Sequence, residues 1–164
     1  MYRKGHLGVS LLVFAPVGFT LVRAGHTELA FLTGGVMCWL AMLPDVDHRI
    51  PGIPHRGPTH SLLFAGLVGL VFGAAGTLVG SQVSLGYSFG LGTFGFALGF
   101  LTVVAHLLGD TLTPAGVNYL WPVSGREYSV SVTRADNTVA NYGLFVLGVF
   151  AVAAATVVAF QIPV

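Results

Sequence analysis

Five long apolar stretches run along the chain, and they constrain its fold more than any other feature. A helix needs about 20 residues, within a range of about 17–25, to cross the hydrocarbon core of a bilayer. The second stretch is the shortest and needs its flanking residues or a thinned bilayer to span. We therefore predict an all-α, polytopic transmembrane helix bundle with about five spans. The stretches are Gly5–Val22, Leu29–Leu43, Ser61–Val79, Tyr87–Leu108 and Asn141–Phe160.

The composition supports this class and excludes others. Charged residues are only 8% of the chain and hydrophobic residues 54%, whereas a soluble domain carries about 25% charged residues. The net charge of +1 and the lack of a basic stripe argue against a nucleic-acid partner. The single Cys38 excludes an internal disulfide and a multi-cysteine zinc site. We expect one integral membrane domain over residues 1–164, with membrane lipid as its surroundings.

The first apolar stretch resembles a signal peptide because Arg3 and Lys4 precede it. It contains Pro16 and Gly18, however, and lacks a clear small-x-small cleavage site before Arg23. We expect a retained helix in an inner or plasma membrane protein.

The basic residues predict the orientation of the bundle, because cytoplasmic loops carry an excess of Lys and Arg. The N-terminus, the second loop and the fourth loop hold six basic residues, and the other side holds only Arg23. This distribution predicts a cytoplasmic N-terminus. The six residues are Arg3, Lys4, Arg49, Arg56, Arg126 and Arg134.

Eight ionisable residues lie at the ends of four predicted spans, all on this cytoplasmic side. Ionisable groups near a membrane are costly and mark functional sites. Histidine and carboxylate side chains are also the usual ligands of a metal ion. We predict that these eight residues are metal ligands: His6, Asp45, Asp47, His48, His55, His60, His106 and Asp110.

The predicted metal-site loop spans residues 44–60. Asp45-Val46-Asp47-His48 follows Pro44, which we expect to end the second helix; alternatively, this stretch is a solvated loop in which an aspartate pairs with Arg49. In His55-Arg56-Gly57-Pro58-Thr59-His60-Ser61, a Gly-Pro turn separates two histidines. Arg56 is a cation suited to a substrate phosphate, and Thr59 or Ser61 can cap the third helix. The alternative is a basic loop that meets lipid headgroups.

His106 and Asp110 are four residues apart and share one helical face, as paired metal ligands do. Alone, His106 would more often be a buried core residue. The neighbouring sequence gives the least support to His6 as a metal ligand. The alternative is a histidine that lies at the membrane interface. The segment 111–140 is predicted to lie at the membrane surface, with Tyr119, Trp121 and Tyr128 as an aromatic belt.

The ligand types favour zinc, with Mn²⁺ as the alternative, and their number allows one or two divalent ions. Two-metal sites suit phosphoester cleavage, because the ions hold the attacking and leaving oxygens. Asp47 and Arg56 are the candidate catalytic residues. Asp47 is a possible general base if it is not a ligand.

Several motifs, taken in order over residues 5–122, resemble those of the YdjM family, the LexA-regulated, inner-membrane, metal-dependent hydrolases. They are Gly5-His6-Leu7, Leu43-Pro44-Asp45-Val46-Asp47-His48, His55-Arg56-Gly57-Pro58-Thr59-His60-Ser61-Leu62, His106-Leu107-Leu108-Gly109-Asp110-Thr111-Leu112-Thr113-Pro114-Ala115-Gly116 and Leu120-Trp121-Pro122.

The resemblance implies a multi-pass hydrolase, distantly similar to zinc-dependent phospholipase C enzymes. Some similar members carry a glutamate before the last helix, where this chain reads Val139-Ala140-Asn141-Tyr142.

Three functions are open at this point. The first is a hydrolase that cleaves phosphoester bonds of a small-molecule or lipid substrate at the cytoplasmic face. The second is a metal-ion transporter or sensor, which should place its ionisable groups near the bilayer midplane. The third is a structural membrane protein whose loop charges only set its topology.

Overall fold

The computed structural model describes residues 1–52 and 54–161. Within these ranges the chain forms five α-helices and no strand, which confirms the predicted all-α class. Ile53, in the predicted loop 44–60, and residues 162–164, at the end of the predicted domain, lie outside the described residues. The helices are α1 (Arg3–Arg23), α2 (Thr27–Trp39), α3 (Leu62–Ser81), α4 (Leu85–Thr111) and α5 (Thr138–Gln161).

All five helices are long and apolar enough to cross a membrane, if α2 is counted with the turn that follows it, as Thr27–Arg49. Their outward faces carry large apolar side chains such as Leu70, Val71 and Phe150, which are more than half exposed. Such faces suit contact with lipid. The predicted five-span membrane bundle is therefore confirmed.

The helices pack in two close pairs, α3 with α4 and α1 with α5, while α2 packs mainly on α1. Glycines bring α3 and α4 together, as small residues do in membrane bundles. A Cβ atom on Gly76 would overlap the carbonyl of Leu91, and one on Gly95 would overlap the carbonyl of Phe72. These glycines thus allow close packing of α3 on α4.

The end of α2 differs from the prediction. The α-helix ends at Trp39, not at Pro44, and Pro44 instead begins a 3₁₀ turn over Pro44–Arg49. The proline ring disfavours a regular turn before it, because it lacks an N–H and clashes with the carbonyl four residues earlier. The early ending frees the Ala41 carbonyl, which a continuing helix would have paired with the N–H of Asp45.

One end of the bundle gathers several chain segments. There α1 begins, α2 ends, α3 begins and α4 ends. Ser61 is the N-cap of α3, and its Oγ accepts a hydrogen bond from the Phe64 N–H at 3.2 Å. Of the two capping residues considered from the sequence, Ser61 is therefore the one used. His26 lies between α1 and α2, at the opposite end.

Candidate metal centre

Four side chains converge at this end of the bundle and are called the inner group: Asp45, His60, His106 and Asp110. His60 Nε2 lies 3.3 Å from His106 Nε2, 3.3 Å from Asp45 Oδ1 and 3.4 Å from Asp110 Oδ2. His106 Nε2 lies 3.5 Å from each of the same two carboxylate oxygens. Two nitrogens and two oxygens therefore face a common point.

These separations match the edges of a tetrahedral metal site. Zinc bonds to nitrogen and oxygen are about 2.0–2.1 Å long, so the ligand atoms of a regular tetrahedron lie about 3.3–3.4 Å apart. Five of the six edges of the inner group are 3.3–3.5 Å. Two imidazole nitrogens facing each other at this distance would repel if both carried a proton. A single divalent cation between them and the two carboxylates fits the donor set.

The other nitrogen of each imidazole has a partner that orients the ring. His106 Nδ1 lies 2.8 Å from the Ala41 carbonyl, which can only accept, so this nitrogen is the donor. His60 Nδ1 lies 3.3 Å from Asp47 Oδ2. Carbonyl or carboxylate partners of this kind fix the tautomer of metal-binding histidines and leave Nε2 free for the metal.

Asp110 is held so that its two oxygens have different neighbours. Oδ1 accepts hydrogen bonds from the Met1 amino group at 2.5 Å and from Arg56 Nη2 at 3.2 Å. Oδ2 faces the two histidines of the inner group. The outer contacts therefore present one oxygen of this carboxylate to the common point.

The neighbouring carboxylates affect the protonation of His60. Burial disfavours its charged form, but hydrogen bonds with Asp110 and Asp45 outweigh burial and raise the pKa of His60 above its ordinary value. A cation is thus favoured here, and a metal ion bound at Nε2 would displace the proton.

A second set, the outer group, consists of Asp45, Asp47, His48 and His55. His55 Nδ1 lies 3.1 Å from Asp47 Oδ1, and the rings of His48 and His55 have centroids 3.9 Å apart. The His55 side chain is 39% exposed, whereas that of His60 is fully buried. Asp45 belongs to both groups and is 17% exposed, so it lies between the buried and the open cluster.

The two predicted catalytic residues make contacts within this cluster. Asp47 Oδ2 accepts a hydrogen bond from Thr59 Oγ1 at 2.9 Å and one from the Arg56 backbone N–H at 3.3 Å. The Arg56 guanidinium donates to the Gly116 carbonyl at 2.7 Å and to Asp110. Arg56 also has a φ of 62°, a left-handed conformation that is uncommon for a residue with a side chain. Its surroundings hold both its backbone and its side chain.

His6 lies beside the inner group, not among the four converging atoms. Its ring stacks on His106 with centroids 3.8 Å apart and planes within 2°. Its Nε2 is 3.5 Å from Asp110 Oδ1, the oxygen that faces away from the common point. The ring is fully buried, and neither nitrogen makes a hydrogen bond with the described residues. Gly109 makes room for it, because a Cβ there would lie 2.8 Å from His6 Nδ1.

Sequence reasoning missed several supporting groups. Thr59 and Thr113 are buried: Thr59 holds Asp47, and Thr113 Oγ1 lies 3.3 Å from both terminal nitrogens of Arg56. Thr59 is next to His60 in the sequence, and Thr113 comes three residues after Asp110. This proximity to predicted ligands was the only sequence signal for their supporting role. Asn141, near the start of α5, is buried and accepts a hydrogen bond from the Tyr2 N–H at 3.1 Å. It thus ties α5 to the start of α1.

Fold and site together define a multi-pass membrane protein with a histidine and carboxylate cluster at one end of its bundle. The chain belongs to the YdjM family, because the family model described as YdjM inner membrane protein matches residues 1–162. This match confirms the resemblance noted from the motifs and a multi-pass location in the inner membrane. No curated protein and no solved structure matches the chain.

Proposed function

We propose that the chain is a metal-dependent hydrolase that cleaves phosphoester bonds of lipid or lipid-linked substrates at the membrane surface. The observation that carries the proposal is the set of inner-group distances, five of which are close to the edge lengths of a tetrahedral site. Nitrogen and oxygen donors in this geometry favour zinc, with Mn²⁺ as the alternative.

The outer group is the proposed second ion site. Asp45 belongs to both groups and would be a ligand in each of them. The exposure of His48 and His55 leaves this site open to water and substrate, as a catalytic site requires. A divalent ion would supply Lewis acidity at a phosphoryl oxygen and make water acidic enough to give hydroxide near neutral pH.

The proposed reaction is hydrolysis. The oxygen of water bonds to phosphorus, the ester P–O bond breaks, and the leaving alcohol takes up the proton lost by water. With an ion in the inner site alone, Asp47 Oδ1, beside His55, is the proposed acceptor of the water proton, which it then passes to the leaving alcohol. Arg56 is proposed to act through Asp110, whose outward oxygen it binds, as a positioning residue.

The cytoplasmic face is the proposed location of the cluster. Arg49 and Arg56 lie in the segment that carries the cluster, and Arg3 begins α1 at the same end. Excess basic residues favour the cytoplasmic side. Cysteine accessibility labelling of single cysteines at positions 49 and 26, in a C38S background, would test this orientation.

The test of the function uses protein purified in lipid nanodiscs. We expect stoichiometric bound metal and release of an alcohol or phosphomonoester from at least one lipid in a phosphoester panel. The H60A/H106A double variant should lose both metal and activity, whereas H26A, at the other end of the bundle, should keep both. Absence of metal under every loading condition would exclude the proposal.

A transporter is the second candidate, and the distribution of charge disfavours it. Within the described helices, the histidine and acidic side chains lie at the ends, and α3 has none. A transport pathway needs such groups near the midplane. Metal uptake into sealed vesicles by the wild-type chain would reverse this ranking.

A further inference from the structure

An apolar groove lies between α2 and α3, directly beside the cluster. Trp39, Leu40 and Leu43 line one side, and α3 residues between Phe64 and Phe72 line the other. Its volume is about 430 Å³. The groove exists because α3 packs on α4 and α2 packs mainly on α1, so these two helices leave a gap.

One end of the groove is lined by residues that lie close in sequence to the inner group. Leu43 is followed by Pro44 and Asp45, and Phe64 lies just after His60 and its neighbour Ser61. Asp45 is the inner-group residue with the most exposed side chain. Asp45 is therefore the inner-group residue most accessible to a substrate, and it lies two residues after the groove residue Leu43.

The dimensions of the groove suit one leaflet of a bilayer. Phe64 and Phe72 are eight residues apart on a helix, a rise of about 12 Å, and one leaflet of the hydrocarbon core is about 15 Å thick. The opening is lined by lipid-facing side chains, with Trp39 80% exposed. The lining residues are all apolar, so the groove offers a hydrocarbon chain contact without polar atoms.

We propose that this groove seats one acyl chain of the substrate lipid and thereby aims its phosphate at Asp45. The proposal rests on the proposed function and names its substrate class as a phospholipid. Lipid tails are as apolar as the groove, so seating the chain adds little affinity. Its contribution is orientation, which holds the ester bond in position for attack.

A second apolar groove supplies an internal control. It lies among α1, α2 and α5, and its lining reaches Val22 and Thr27 at the end of the bundle that is far from the cluster. A lipid whose headgroup reaches Asp45 cannot also place its chain near Phe31, in the opposite leaflet.

The experiment is photocrosslinking in metal-loaded nanodiscs with phosphatidic acid that carries a diazirine on its acyl chain. Mass spectrometry then locates the label. We expect label between Phe64 and Phe72 and on Trp39 to Leu43, in excess over Phe31 and over outward-facing Val146. A diazirine near the glycerol should label Leu43 and Phe64, and one near the chain end should label Val71 and Phe72.

Groove-filling variants complete the test. V71W and, separately, L67W should lose the groove label while keeping the wild-type metal content. V79W, on the same helix but outside the groove, should keep the label. Uniform label over all lipid-facing residues, unchanged label in V71W and L67W, or crosslinks to a second copy of the chain would each overturn the proposal.

These results separate the groove from the catalytic proposal. Bound metal and phosphoester cleavage with uniform label would overturn the groove alone. Groove label on a protein that binds no metal would overturn the hydrolase and leave a lipid-binding groove.

Discussion

The inner and outer groups use the same ligand types but differ in burial. His60 and His106 are fully buried and each has an orienting partner for its second nitrogen. His48 and His55 are exposed, and their rings lie in contact at an interplanar angle of 30°. A preformed, buried set should bind an ion tightly, whereas an exposed set should exchange its ion with solvent. The difference indicates that burial and supporting hydrogen bonds, not residue type, divide the proposed roles.

The largest effect is expected at Asp45, which belongs to both groups. D45A should lose both ions and reduce activity by at least about a hundredfold, more than the loss typical of a supporting residue. Metal analysis by mass spectrometry and a phosphoester assay measure this. E28A, at the far end of α2, is the control and should match wild type. Two retained ions in D45A would contradict the shared-ligand arrangement.

The histidines give the most direct comparison of the groups. H106A should lose the inner ion, and H48A should lose only the ion that exchanges readily. Dialysis against a weak chelator, followed by metal analysis, separates the two. Equal losses from both variants would mean that burial does not distinguish the sites.

A smaller effect is expected at Thr59, whose Oγ1 donates to Asp47 and lies 3.1 Å from His60 Nδ1. T59V preserves the shape of the side chain but removes the hydroxyl, so the affinity of the inner ion should fall about tenfold. Competition with a fluorescent zinc indicator measures this affinity. T156V, on the far part of α5, should have no effect. An unaltered affinity in T59V would show that the Thr59 hydroxyl does not support the inner site.

An effect on stability, not on metal affinity, is expected at Gly109, where a Cβ would meet His6. G109A should displace the stacked ring and destabilise the fold by about 1–3 kcal/mol, the usual range for overpacking. Thermal unfolding in detergent measures this, with G143A as the control because its Cβ meets nothing within 4 Å. Equal melting temperatures would show that the ring moves without cost.

The sequence was sufficient to predict the spans and the gathering of ionisable residues at one end. Apolar length predicts spans, and alternating helix direction brings the start of α1 and the end of α4 together. The division into inner and outer groups was not predictable, because it depends on burial and on side-chain direction. His6 illustrates this: its residue type suits metal binding, but its Nε2 lies beside Asp110 Oδ1, away from the four converging atoms.

The end of α2 was mispredicted for a related reason. Pro44 is a clear stop signal, but local sequence does not indicate how many residues earlier the helix ends. The ending at Trp39 leaves the Ala41 carbonyl available to His106, a contact between residues 65 apart in sequence. A local sequence pattern cannot predict contacts between residues so far apart in the chain.

X-ray absorption spectroscopy of the protein loaded with one equivalent of zinc tests the inner site most directly. We predict four nitrogen or oxygen neighbours at about 2.0–2.1 Å, with the scattering pattern of two imidazoles. The H60A/H106A variant should lose this signal. A six-oxygen shell without imidazole, or the same spectrum from that variant, would contradict a tetrahedral metal centre built from Asp45, His60, His106 and Asp110.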